Sequence, residues 1–368
     1  MSLPWSSILP IEILSSIFNN TTNSYKFYWF LSILEKLKTN PDKKLYIEDL
    51  AIEMICEVWY PLNFFKLSFG AQDQFPIAIK ELQTKSNLPI ETKKNDLFLR
   101  VKEVKDNQNI GRIINQLSRY VPYRFLSPWY FENLRRIQDS KKNNLIISLS
   151  NNNYNNEIKP SFYRFTDDGA IEINKLWKAY LLKHLRVLQG FTYWHLINYL
   201  QRNNPNVPNI SDKLFPPEYR ILVNAKKFWN SFFDVKKNFQ CIYSGEILSK
   251  NNFSIDHFLP WSFVAHDQLW NLLPIPKSVN SSKGDNLPSE KYYDNFSSIQ
   301  FDAFHIAVEN KSITAKILED YSILFNDNIR SIKKLDKRQF GIILINNIKP
   351  LIQIAANMGF KTNWYYKR

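Results

Sequence analysis

Glycine is scarce in this chain, with 8 among 368 residues, about 2% where ~7% is usual. Neither a GxGxxG nor a P-loop signature is present, which argues against dinucleotide enzymes and P-loop NTPases. Cysteine is scarcer still. Cys56 and Cys241 are the only two, so no disulfide framework is implied and a four-cysteine zinc site is impossible. No apolar run approaches the ~18 residues of a membrane-spanning helix. The first residues lack a basic n-region, and Glu12 interrupts their apolar stretch, unlike a signal peptide. These absences predict a soluble, cytoplasmic protein with no membrane partner.

What is abundant points elsewhere. Hydrophobic residues make up 44% and aromatics 15%, enough for a sizeable core and too much for a disordered chain. The length suggests two or three domains. Lys and Arg number 48 against 34 Asp and Glu, a net charge of +14. Such a surplus favours a polyanionic partner, because neutralising phosphates drives non-specific nucleic-acid binding. The alternative is ordinary solubility charge.

The pattern predicts a mainly helical α+β fold. Residues 1–85 read as helical. A helix is expected over 25–38, with Asn23 or Ser24 as cap and Phe27, Phe30, Leu31, Leu34 and Leu37 at helical spacing. Others are expected over 47–58 and 77–82. Residues 86–231 form a basic mixed region. Arg112, Arg119, Arg124, Arg135 and Arg136 lie among Tyr120, Tyr123, Trp129 and Tyr130. That interleaving suits phosphate neutralisation plus base stacking, or equally a solvated helical face with its aromatics turned inward. Within the region, 145–149 reads as a strand and 151–156 as a loop. Asp168-Gly169 reads as a hairpin turn, and 174–201 as one long helix containing Gly190. His184 and His195 on that helix read as packed or surface residues. The Pro- and Asn-rich 202–217 reads as a linker or exposed loop, and 218–233 as a helix. After residue 300, helices are expected over 301–325 and 328–358, with Pro350 kinking or dividing the second and Gly359 as C-cap. The tail 361–368 is basic and aromatic, and either touches nucleic acid or tucks its rings onto the body.

Residues 232–300 carry the chemistry. Asp256 and His257 are adjacent at the end of an alternating run, and adjacent strand residues face opposite ways. They can share a site only where the strand ends in a bend, as Pro260 suggests. Asn271 follows His257 by 14 residues and Asn280 by 23, with Lys283 three further on. An Asp, a His, two Asn and a Lys within 28 residues are the ingredients of metal-assisted phosphodiester cleavage. A carboxylate and an amide oxygen suit a hard cation, and an imidazole can take a proton from water at neutral pH. Singly, each of these residues is as readily a turn or cap.

Together they resemble the HNH, or ββα-metal, nuclease superfamily, and most of all the HNH domain of the type II CRISPR effector nuclease. The shared pattern is Asp256-His257, Pro260, Ser262-Phe263, Asp267, Asn271, Asn280, Lys283, Asp285-Asn286 and Pro288-Ser289-Glu290, at unbroken spacing. It covers about 50 of 368 residues. The resemblance implies a small ββα nuclease module at 232–300, with 301–368 as C-terminal helices and tail. It implies His257 as general base, Asp256 and Asn280 as metal ligands, Asn271 as the residue fixing the loop, and Lys283 near the scissile phosphate. It implies one divalent cation, Mg²⁺ or alternatively Mn²⁺, and DNA hydrolysis leaving a 5′-phosphate, in a restriction or anti-phage setting. Lys277 joins the five arginines as a candidate nucleic-acid contact. A dimer or a partner protein, a non-catalytic binding role and an RNA substrate all stay open. Relatives with two Cys-x-x-Cys pairs hold a structural zinc. Here Ser244 stands at the second ligand place, so no zinc is expected. Cys241 is then a small core residue, packed with Phe239, Tyr243, Ile247, Leu248, Phe258, Trp261, Trp270 and Leu272. His266 and His305 lie outside the motif and read as loop and structural residues.

Overall fold

The computed structural model describes residues 3–19, 21–86, 88–106, 108–216, 222–310 and 312–367. Among the described residues the fold is mainly helical, with three small sheets. The chain divides into two compact units, Met1–Pro205 and Asn206–Arg368. Among the described residues, no helix is long and apolar enough to cross a membrane.

In the first unit, α1 (Tyr25–Thr39) is the central helix. Every residue from Phe27 to Leu34 is buried, as expected of a helix apolar all round. Ser24 sits at its N-cap, but its hydroxyl donates to Asp73 at 2.6 Å and makes no cap bond. Helix α1 packs on α2 (Ile47–Glu57), which β1 (Leu45–Tyr46) precedes. Helix α3 (Gln108–Phe125) packs on both.

Residues 145–149 are not a strand. They lie within α4 (Asp139–Asn152). A short apolar run reads equally as strand or helix; here Ile146 and Ser150, four apart, form the buried side. The hairpin does form, from β2 (Tyr163–Phe165) and β3 (Ala170–Ile173) in antiparallel register. Gly169 takes φ +77 in its turn, and β1 adds on the other side of β3. The long helix is in fact two, α5 (Lys175–Lys183) and α6 (Leu185–Asn203). The break falls at His184 (φ −111°, ψ 20°) and not at Gly190, which continues α6.

In the second unit, α7 (Val223–Val235) buries Phe228, Trp229, Phe232 and Phe233. The earlier part of the helix expected over 218–233 includes 218–221, which lie outside the described residues, as does Arg368 of the tail. Strands β4 (Phe239–Gln240) and β5 (Ile247–Leu248) pair around a tight turn. Then come β6 (Ser254–His257), α8 (Trp261–Val264), β7 (Leu272–Ile275) and α9 (Lys277–Lys283). The wall behind them is α10 (Tyr293–Glu309), with α11 (Lys337–Asn357) packed on it. Phe296 of α10 stacks on Phe258 with centroids 3.9 Å apart.

The helix expected over 301–325 ends at Glu309, and a separate one runs Glu319–Phe325. The region 328–358 splits at Asp336, whose carboxylate and Gln339 form a capping box. Pro350 does not divide α11, whose buried face of Phe340, Leu344, Ile348 and Ala355 runs past it. Gly359 takes φ +89 just beyond the helix end. The tail tucks in part: Trp364 exchanges backbone bonds with residues 287 and 289 and packs on Tyr243, while Tyr365 stays exposed. Of the expected core residues, Ile247 is 57% exposed. It alternates with buried Leu248 on a two-residue edge ribbon, so one of the pair must face water.

Candidate active site

Strands β6 and β7 pair antiparallel, with Asp256 opposite Leu273 and His257 opposite Leu272. Helix α9 follows β7 after one residue, a strand-strand-helix unit. Asp256 and His257 are both buried, though neighbours on a strand. The strand ends at His257, and α8 begins four residues on, after Pro260.

Lys283, the last residue of α9, is fully buried. Its ammonium donates to the His257 carbonyl at 2.6 Å and stands 3.0 Å from Asp256 Oδ2. The second contact is an ion pair by distance only, since that oxygen receives no hydrogen bond among the described residues.

His257 Nε2 lies 2.8 Å from Asp267 Oδ1. An ionised carboxylate only accepts, so a neutral ring paired with it in this way has its proton on Nε2 and its acceptor at Nδ1. Asn271 is fully buried. Its Nδ2 donates to the Leu259 carbonyl at 3.0 Å, and its Oδ1 accepts from the Leu259 N–H at 2.7 Å. Its own carbonyl accepts from Phe258 N–H at 2.7 Å. Side chain and backbone of Asn271 thus tie down the two residues that follow His257.

Asp256, His257 and Lys283 are therefore in one place, with Asn271 holding the adjoining turn. Asn280 lies three residues before Lys283 on α9, so the two share a face. Asn280 is half-buried, and its side chain makes no hydrogen bond among the described residues. Lys283 departs from its expected place: the ammonium lies beneath Asp256, shut off from solvent, rather than open to a phosphate. Asn271 likewise spends its amide on the Leu259 backbone.

Lys277 is exposed at the start of α9. The arginines lie in the first unit. Arg112 and Arg136 are exposed, and Arg119 lies over the Tyr120 ring at 5.5 Å. Arg124 pairs with Asp139 at 3.0 Å and Arg135 with Glu132 at 3.2 Å. Exposed pairs of that kind are weak, so these two cations stay exchangeable.

Residues 241–289 match the family model described as HNH endonuclease. The match supports the HNH superfamily for this segment, and with it a nuclease and a nucleic-acid substrate. It does not single out the CRISPR effector domain. No curated protein and no solved structure matches the chain.

HNH nucleases generally use a divalent metal, and the donors here fit one. Asp256 offers a buried carboxylate whose Oδ2 receives no hydrogen bond but faces the Lys283 ammonium at 3.0 Å, and Asn280 offers an amide oxygen. Both are hard oxygen donors of the kind Mg²⁺ or Mn²⁺ takes alongside water and phosphate oxygens. No group of three or more His, Cys, Asp or Glu that could hold a metal occurs among the described residues. Cys241 is buried in the core behind the HNH segment.

Asp267 stands in the motif spacing, but its pairing with His257 depends on the turn between β6 and β7, which sequence does not show. His266 beside it was read as a plain loop residue. Burial pulls its pKa down to about 4, with His257 and Lys213 adding to the effect and Asp267 opposing it. Lys213 is itself buried, and that burial lowers it to about 7. Between pH ~6.5 and about 4 the unfolded chain therefore binds a proton that the folded one refuses at His266. Melting temperature should fall as pH drops through that window, and His266→Phe should flatten the slope. An equal slope in both proteins would remove His266 as the cause.

Proposed function

We propose that the HNH segment is a divalent-metal-dependent endonuclease that hydrolyses DNA phosphodiester bonds by His257-activated attack of water. The observation that carries this reading is the 2.8 Å bond from His257 Nε2 to Asp267, next to the buried carboxylate of Asp256. With Nε2 protonated and oriented by Asp267, Nδ1 is the general base that removes the water proton. Asn271 keeps the following turn from shifting the ring. Asp256 and Asn280 would hold the cation. When bound, a divalent cation stabilises the charge that builds on the phosphate and leaving oxygen. Lys283 holds the Asp256 carboxylate and the end of β6 in place from below. The net charge of +14 and the exposed cations Arg112, Arg136 and Lys277 would supply phosphate contacts, with modest sequence readout. One HNH site cuts one strand, so nicked circles are the expected first product. A restriction or anti-phage setting suits such a cutter.

Supercoiled plasmid is the test, with Mg²⁺ or Mn²⁺ and with chelator, beside matched single-stranded DNA and RNA. Nicking that needs the metal supports the proposal. Mn²⁺ should also raise the melting temperature of the wild type and leave that of Asn280→Ala unmoved, since binding the folded state alone stabilises it. Binding without turnover would favour a non-catalytic or partner-activated subunit, and preferential RNA cleavage a ribonuclease.

A further inference from the structure

The HNH match begins at residue 241, yet the turn that carries Asp267 is gripped by a segment some thirty residues earlier. Residues 206–214 are anchored by buried Val207, Ile210 and Leu214, and by the buried Lys213, whose ammonium donates to the Pro208 carbonyl. Asn209, at φ +51, starts the short 3-10 helix Ile210–Leu214. Asparagine tolerates that left-handed conformation better than most residues. Its Nδ2 donates to the Val264 carbonyl at 3.2 Å and the Ala265 carbonyl at 3.3 Å.

Those two carbonyls sit at the C-terminal end of α8, where a helix leaves its carbonyls without partners. Ala265 is the C-cap, at φ +52 and ψ 39, a position that favours glycine. An alanine there is disfavoured, a cost that the Ala265 N–H bond to the Trp261 carbonyl at 2.7 Å and the two bonds from Asn209 offset. Two residues later comes Asp267, bonded to His257.

We propose that Asn209 is a positioning residue for the nuclease site. It fixes Ala265 in the left-handed conformation, and through that turn it sets Asp267 on His257. The inference rests on the nuclease reading for its activity arm and on geometry for the rest.

The test uses the full chain and five variants. Asn209→Ala should lower kcat about tenfold, because small misplacements of a catalytic group are costly, and leave KM for plasmid unchanged. Adding Ala265→Gly to Asn209→Ala should restore most of the loss, since glycine holds a positive φ unaided. In an Asp267→Asn background, Asn209→Ala should cost less than about twofold, because residues acting through one contact are not additive. A full tenfold cost in that background, or no rescue by Ala265→Gly, overturns the proposal. If the wild type cuts no substrate, the nuclease reading fails alone. The ¹⁵N signals of the His257 ring, assigned by difference from His257→Gln, then decide. Signals in Asn209→Ala shifted toward those of Asp267→Asn support the clamp, and signals unchanged from wild type overturn it.

Discussion

His257→Ala should lower metal-dependent nicking of supercoiled DNA by at least about 100-fold, the lower end of what a general base contributes. Plasmid affinity should not change, because phosphate contacts made elsewhere dominate it. The variant should also fold. The ring is buried, but among the described residues its polar bond is to the partly exposed Asp267, which can turn to water. Asp267→Asn should lose activity by about 10-fold to 100-fold, through a different fault. An amide at that position can present its NH₂ to Nε2, which would move the ring proton to Nδ1 and remove the base. The two losses should not add, since both act on one nitrogen. Gel densitometry of nicked circle against time gives each rate. Full activity in His257→Ala would remove the residue from the chemistry. Full activity in Asp267→Asn would leave the base and remove its orienting partner.

How much of this was legible beforehand varied with range along the chain. Helix α1 could be read because its apolar residues recur at 3.6-residue spacing over fifteen residues, and long periodic segments are distinctive. The hairpin could be read because Asp168-Gly169 demands a particular turn. The run at 145–149 is too short for its period to decide, and packing against β2 chose helix. The break at His184 has no local signal; Gly190, the conspicuous candidate, lies in open space inside α6. In the site, the spacing singled out Asp256, His257, Asn271, Asn280 and Lys283, and the fold brings Asp256, His257 and Lys283 into contact. The spacing could not say which side chains face substrate and which face backbone. That depends on how α9 lies against β6, a tertiary fact. Hence the contacts of Asp267 with His257, of Asn209 with the carbonyls of residues 264 and 265, and of Lys283 with Asp256 appear only in the fold.

Lys283→Met should destabilise the protein by about 3–5 kcal/mol, the usual cost of removing one partner from a buried ion pair. That is large against the ~5–15 kcal/mol that holds most domains. The loss has two parts. Asp256 is left as a buried carboxylate 3.0 Å from nothing positive, and the His257 carbonyl loses its 2.6 Å donor. The double variant Asp256→Asn with Lys283→Met should be more stable than Lys283→Met alone, because no uncompensated charge stays inside. Mn²⁺ should recover part of the single variant's stability, since a cation held by Asp256 and Asn280 would neutralise the same carboxylate. Denaturant melts with and without Mn²⁺ measure all three. Those three outcomes together would make Lys283 a structural counter-charge to Asp256 rather than a phosphate contact. A Lys283→Met protein that melts like the wild type but binds DNA more weakly would put the ammonium on the phosphate instead, and the ion pair with Asp256 would lose its role.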